Sequence, residues 1–378
     1  MTNIPHVDDV RARHMRDGGH RPRRTSLPRR DGQGLRRGTV AALLVLVSMI
    51  SACRGTDRIP VNDADLPSPT RATVPPPSGS PTRSEKPEPF VAGTFDRKVV
   101  GEASGVAPSV RNAGWVYVLD DGPGTDGVLA VDTMGGGMVR LIVEGMSGRD
   151  TEGLAVGACK TGARRRCLFI GDIGNNQSLW PTVDVWRVRE PRLRGRSGEL
   201  RVTGAMATYT YPDAPVDAEA LLVADGRPFL VTKERRDPAD GRAPPPRLLA
   251  ARRWGDGVLR DRGAIALPAP SIGLAAAIVG NVVTGGGVGD GRVILRTYDH
   301  VVEYTPPNAD APLDTLPAWR AREVDDVPPL AQPEGAAVDR CGIWLVDEQV
   351  DTLWLVPSVS TPPDDVQEQA CPTGNAPS

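Results

Sequence analysis

The sequence predicts an all-β fold, a five-bladed β-propeller with six blades as the alternative. Three observations predict it. A short motif returns five times: Ser104-Gly105-Val106-Ala107, Glu152-Gly153-Leu154-Ala155, Glu219-Ala220-Leu221-Leu222, Thr284-Gly285-Gly286-Gly287 and Glu334-Gly335-Ala336-Ala337. The copies start 48, 67, 65 and 50 residues apart, a spacing that suits one radially repeated supersecondary unit per copy. Between them lie strand-like runs, and nowhere do apolar residues recur at helical spacing for more than a turn. Five copies set five blades, while the two long intervals leave room for a sixth.

In chain order, the first 38 residues hold ten Arg, no Lys and four Asp, and an uncharged run from Thr39 to Ile50 closes on Ser51-Ala52-Cys53. This is the n-region, h-region and cleavage site of an export signal over residues 1–52. The apolar run has 12 residues, well short of the ~20 that a membrane-spanning helix needs, so cleavage is expected. Ile50-Ser51-Ala52-Cys53 has the form of a bacterial lipobox, in which Cys53 is diacylated and becomes the new N-terminus; a soluble secretion signal is the alternative. The expected address is the outer face of the bacterial cytoplasmic membrane. Arg23-Arg24 and Arg36-Arg37 leave the general and twin-arginine export routes both open.

Residues 53–89 read as a disordered tether. Nine Pro fall between Pro60 and Pro89 among Ser, Thr, Arg and Asp, a composition that cannot bury enough surface to order itself. The propeller is expected over 90–372, with a disordered tail at 373–378. The whole chain carries a net charge of −2, and because residues 1–52 contribute +6, the remainder stands at −8. A domain of that sign is not built to coat nucleic acid or an anionic membrane, and a monomer is expected.

Of five cysteines, Cys53 belongs to the signal, and an even four remain in an exported chain. Three pairings are possible. The favoured one joins Cys159 to Cys167 across a short basic hairpin tip and Cys341 to Cys371, pinning the tail to the last repeat.

Strands are expected at Trp115 to Leu119, Val128 to Val131, Met138 to Val143, Leu168 to Ile170, Val183 to Val188, Phe229 to Val231, Val293 to Leu295, Ile343 to Val346 and Leu353 to Val356, with Asp-Gly turns starting at Asp121, Asp126, Asp225, Asp256 and Asp290. The last repeat supplies three strands of a four-stranded blade. Phe95 to Val100 is the expected fourth, closing the ring.

In a blade, the start of the innermost strand and the end of the second share one face of the disc. The second-strand ends are all polar: Asp120 and Asp121; Asp172 with Asn175 and Asn176; Lys233; Arg296 with Tyr298; and Asp347 with Glu348. Asp120, Asp121, Asp172, Lys233 and Arg296 are the catalytic candidates, as bases and anion clamps. Asn175, Asn176, Tyr298, Asp347 and Glu348 are the ligand-binding candidates.

The motif starts Ser104, Glu152, Glu219, Thr284 and Glu334 should ring the central channel. Converging carboxylates repel and keep their protons unless a cation or hydrogen-bond donors compensate. An oxygen-only set suits a hard ion, and Ca²⁺ tolerates irregular geometry. In the alternative, the glutamates accept hydrogen bonds and lock blade to blade.

This series of Ser, Glu, Glu, hydroxyl residue and Glu resembles the five-bladed calcium-dependent nucleotidases of the apyrase family, and is similar to phytase-like and gluconolactonase-like propellers. The resemblance implies a central Ca²⁺ held by the five motif residues. The nucleotide-contacting residues have no counterpart here, so the activity does not carry over.

Two functions compete. A binding module would hold a small molecule, glycan or surface protein on this face, with Ca²⁺ giving rigidity. A metal-dependent hydrolase would cleave a phosphoester or lactone there. No GxSxG elbow exists, and a Ser-His-Asp triad would have to use His300, which reads as a packed or solvated imidazole. The missing nucleophile favours binding.

Overall fold

The computed structural model describes residues 87–235, 244–269, 281–358 and 371–374. The signal, Cys53 and almost all of the tether lie outside them. No helix among the described residues is long and apolar enough to cross a membrane.

Five sheets, each with four antiparallel strands, form a five-bladed β-propeller. From the channel outward, blade one is Ala103–Pro108, Trp115–Asp120, Gly127–Asp132 and Met138–Val143. Blade two is Thr151–Ala158, Arg166–Asp172, Thr182–Arg189 and Gly204–Thr210. Blade three is Ala218–Ala224, Arg227–Thr232, Arg247–Ala250 and Arg260–Ala264. Blade four is Val283–Gly289, Arg292–Thr297, Val301–Thr305 and Arg320–Glu323. Blade five is Pro333–Val338, Gly342–Asp347 and Thr352–Pro357, completed by Phe90–Thr94.

That last pairing corrects the expected closing strand. Phe90 pairs with Leu355 and Thr94 with Thr352. Phe95 to Val100 is instead a turn, because the Asp96 carbonyl accepts the N–H groups of Val99 and Val100 while its side chain accepts that of Lys98. Phe95 and Val100 are buried there, which is why the segment looks apolar enough for a strand.

The long intervals conceal strands, not a sixth blade. Gly198–Val202, inserted in blade two, runs parallel to Met138–Val143 and becomes a fifth strand of blade one. Gly257–Val258, inserted in blade three, does the same for blade two, alongside Gly204–Thr210. Each insertion thus covers the outer edge of the preceding blade.

Strands that read as continuous apolar runs are buried on both faces. In blade one, Val116 and Val118 pack against blade five, and Tyr117 and Leu119 against blade two. The core is accordingly divided into five clusters, one at every seam between neighbouring blades, including the seam that closes the ring. The favoured disulfides, Cys159–Cys167 and Cys341–Cys371, are both present.

Candidate functional site at the acidic mouth of the channel

Each motif start is the second residue of its innermost strand: Ser104, Glu152, Glu219, Thr284 and Glu334. In every blade the ladder register shifts at that residue. The motif residue is therefore a β-bulge, left out of the ladder and re-aimed. All five are buried. The next residue is small because inner strands touch there: a Cβ on Gly153 would stand 2.4 Å from the Leu221 Cβ, and one on Gly335 2.9 Å from the Ser104 carbonyl oxygen. The motif thus encodes a bulge followed by a blade-to-blade contact.

The second strands end in equivalent register, with Ala103, Thr151, Ala218, Val283 and Pro333 paired to Asp120, Asp172, Thr232, Thr297 and Asp347. The three aspartates bind backbone. Asp120 accepts the N–H groups of Gly101 and Glu102 at 2.7 and 3.0 Å. Asp172 accepts those of Arg149 and Asp150, both at 2.9 Å, and Asp347 those of Gln332 and Gln349 at 2.9 and 2.8 Å. Each carboxylate pins the segment that enters its own innermost strand. Asn175, fully buried, is spent similarly on Leu179, Trp180 and Asp217.

One residue further on, the equivalent positions are Asp121, Ile173, Lys233, Tyr298 and Glu348. Electrostatic coupling draws four of these together with the motif glutamates. Lys233 Nζ lies 2.6 Å from Glu219 Oε1, with side chains 8% and 1% exposed, and 6.0 Å from the Tyr298 ring centroid. Burial alone would lower the Lys233 pKa, but Glu219, Tyr298, Glu334 and Glu152 more than reverse this and raise it. Lys233 is thus an internal cation for the ring.

One ammonium does not neutralise three carboxyls. Burial and then Glu219 push Glu152 and Glu334 well above the usual carboxylate range, and Glu219 is raised by burial although Lys233 pulls it back. Glu219 Oε2, Glu334 Oε2 and Thr284 Oγ1 are buried with no hydrogen-bond partner. Ser104 instead donates its hydroxyl to the Thr151 carbonyl at 2.7 Å, a tie between blades one and two. Arg296 is buried, with its pKa lowered to about 10 by burial despite Asp347 and Glu334.

Beside the ring, Asp121, Asp150 and Glu152 bring carboxylate oxygens within 4.8 Å of one another. Asp121 is pushed up to about 8 by burial, then by Asp150 and Glu219, and it shares a hydrogen bond with Asp150. Oxygens at that spacing fit around a Ca²⁺ whose ligands stand ~2.4 Å away. Sequence reasoning had Asp121 as a base and did not single out Asp150. A signal was present: the position two before the motif start is acidic in the first three copies, as Glu102, Asp150 and Asp217.

On the rim, Asn176 Oδ1 accepts from Arg235, which also pairs with Asp217 at 3.7 Å; Glu348 is raised by burial and then by Glu102. His300 lies apart, its ring nitrogens engaged by Glu323 at 2.8 Å and the Ala269 carbonyl at 3.2 Å. At the opposite mouth a cavity of about 330 Å³ is lined largely by aliphatic residues such as Leu154, Val156 and Val338. Arg166, Asp290, Asp339 and Arg340 also line it, whereas the buried carboxyls, Lys233 and Tyr298 converge on the acidic mouth.

No protein-family model matches the chain, and no curated protein matches it in sequence. Similar solved structures include the PQQ-bound aldose sugar dehydrogenase of Streptomyces coelicolor, at 12% identity over 70% of this chain and 95% of that one, with a TM-score of 0.39. Glutaminyl cyclase of Myxococcus xanthus matches at 12% identity over 71% and 92%, with a TM-score of 0.33. The Malassezia sympodialis allergen Mala s 1 matches at 10% over 71% and 95%, with a TM-score of 0.40.

Proposed function

We propose that this protein is an exported, lipid-anchored β-propeller whose acidic channel mouth binds a ligand with the help of a Ca²⁺ ion. The observation that carries the reading is the convergence of Asp121, Asp150 and Glu152 within 4.8 Å. Three carboxyl groups held this close are where a divalent cation has most to gain, because it replaces the protons that burial makes Asp121 and Glu152 keep. The resemblance to calcium-dependent nucleotidases placed the ion on the five motif residues. Lys233 already supplies a cation to that ring, which supports moving the ion to the side of Glu152 that faces Asp121 and Asp150. Tyr298, Asn176, Arg235 and Glu348 surround the mouth and are the groups available to a small molecule, glycan or surface protein.

A second reading, metal-assisted hydrolysis of a phosphoester or lactone, is favoured by one observation. Asp121, with its pKa near 8, holds a proton that can be exchanged close to neutral pH. A bound Ca²⁺ would supply Lewis acidity there.

Calorimetric titration of Ca²⁺ into the chain from residue 53, with Cys53→Ser to prevent lipidation, tests the shared premise. Binding that Asp150→Asn abolishes supports it, and undiminished binding in that variant overturns it. Turnover of phosphoester or lactone panels by the loaded protein, lost in Asp121→Asn, would select the second reading.

A further inference from the structure

The face opposite the acidic mouth has the reverse charge in blades one and two. It carries the turns between first and second strands and between third and fourth. In blade two the first of these, residues 160–166, holds Lys160 and the run Arg164-Arg165-Arg166; the second, 189–196, holds four more arginines. All eight are exposed, and none has an ion-pair partner among the described residues. The single carboxylate in these segments, Glu190, is 2% exposed and is occupied by the Ser109 hydroxyl and the Arg111 N–H. Arg111 adds a ninth cation from the neighbouring turn of blade one and, with Arg192, Arg194 and Trp115, lines an open hollow of about 730 Å³. The net charge of −8 outside the signal conceals this local excess, which outweighs Asp132 in blade one and gives way to Asp225, Asp290 and Asp339 in the corresponding turns of blades three to five.

We propose that this basic face of blades one and two docks on an anionic phospholipid surface, turning the acidic channel mouth away from the membrane. Charge complementarity is the first argument, since clustered Lys and Arg at a surface are attracted to anionic headgroups. Two exposed apolar side chains on the same face are the second. Val110 is 53% exposed beside Arg111, and Met134, 49% exposed, tops the adjacent turn of blade one. Apolar side chains among cations suit a headgroup boundary better than a fully hydrated polyanion. Chain direction is the third. Phe90–Thr94 runs antiparallel to Thr352–Pro357, so the chain enters the ring-closing strand from the basic side. The preceding sequence carries the apolar run from Thr39 to Ile50 and, after it, Cys53. The inference stands apart from the metal reading, because none of these residues belongs to the acidic mouth.

The test is co-sedimentation of the chain from residue 53 carrying Cys53→Ser with vesicles of phosphatidylglycerol and phosphatidylcholine in equal parts, and with phosphatidylcholine alone. Binding to the anionic vesicles only, weakened by salt and by roughly tenfold or more in the combined variant Arg164→Glu, Arg166→Glu, Arg192→Glu, Arg194→Glu, is expected. Orientation is read on the otherwise unsubstituted chain with an environment-sensitive dye at Met134→Cys, which should shift on anionic vesicles, and at Leu179→Cys on the acidic side, which should not. Equal binding by the charge variant, or a shift at both dyes, overturns the proposal. Binding to soluble polyphosphate with none to vesicles overturns it in favour of a soluble polyanion.

Discussion

Lys233 Nζ stands 2.6 Å from Glu219 Oε1 inside the channel, and both side chains are almost wholly removed from solvent. Glu219 lies in the innermost strand of blade three and Lys233 just past the end of its second, yet the field of that ammonium reaches glutamates of blades two and five. Removing it leaves buried carboxylates without compensation. Lys233→Met should lower stability by about 3–5 kcal/mol at pH 8 in urea unfolding. The loss should be smaller at pH 5, because the raised carboxyls then take up protons. A cost that is the same at both pH values would show that Lys233 packs but does not neutralise.

The acidic cluster makes stability depend on pH in an unusual direction. Asp121 keeps its proton in the folded chain up to about pH 8, whereas an unfolded aspartate loses it near ~4. Between those values the folded state binds more protons, so its contribution is complete below pH ~4 and is lost as pH rises through about 8. The melting temperature of metal-free protein should therefore fall from pH 5 to pH 8. Because Ca²⁺ replaces protons, its stabilising shift should be larger at pH 8 than at pH 5. Equal shifts at the two pH values would argue against this cluster as the ion site.

Gly153 illustrates the seam between blades. An added methyl would meet the Leu221 Cβ at 2.4 Å and the Leu221 backbone nitrogen at 3.0 Å, and the backbone nitrogen lies in a ladder that cannot retreat easily. Gly153→Ala should cost ~1–3 kcal/mol by denaturant melting. Gly101→Ala, whose methyl meets nothing closer than 3.8 Å, is the control and should stay within about 0.5 kcal/mol. Equal effects would remove the packing explanation for the small residue in the motif.

The two disulfides should differ in worth. Cys341–Cys371 closes a separation of 30 residues and Cys159–Cys167 one of 8. In the chain-entropy account the longer loop contributes about 3–4 kcal/mol and the shorter about 2–3 kcal/mol. Replacing both cysteines of each pair by serine, separately, should therefore lower the melting temperature more for the C-terminal pair. The reverse order would mean that the basic hairpin tip depends on its bond for more than entropy.

The all-β class, the five repeats, the disulfide pairing and the residues that open the inner strands were legible in the chain. Each is a local signal: a strand period, a bulge residue followed by glycine, a count of cysteines. The blade number was not settled by length, because inserted strands that pair with a preceding blade occupy the same chain as an extra blade would. Asp120 and Asp172 looked like site residues because strand ends that bind backbone and strand ends that face a channel carry the same side chains. Which they do depends on register, and a single residue separates Asp120 on the backbone from Asp121 in the acidic cluster. Sequence determined the repeat and its polar starts. Only the closed ring decided that Lys233 would meet Glu219, that Asp150 would join Asp121 and Glu152, and that the cations of blade two would gather on the face opposite, since these neighbours are set by long-range pairing that no local pattern encodes.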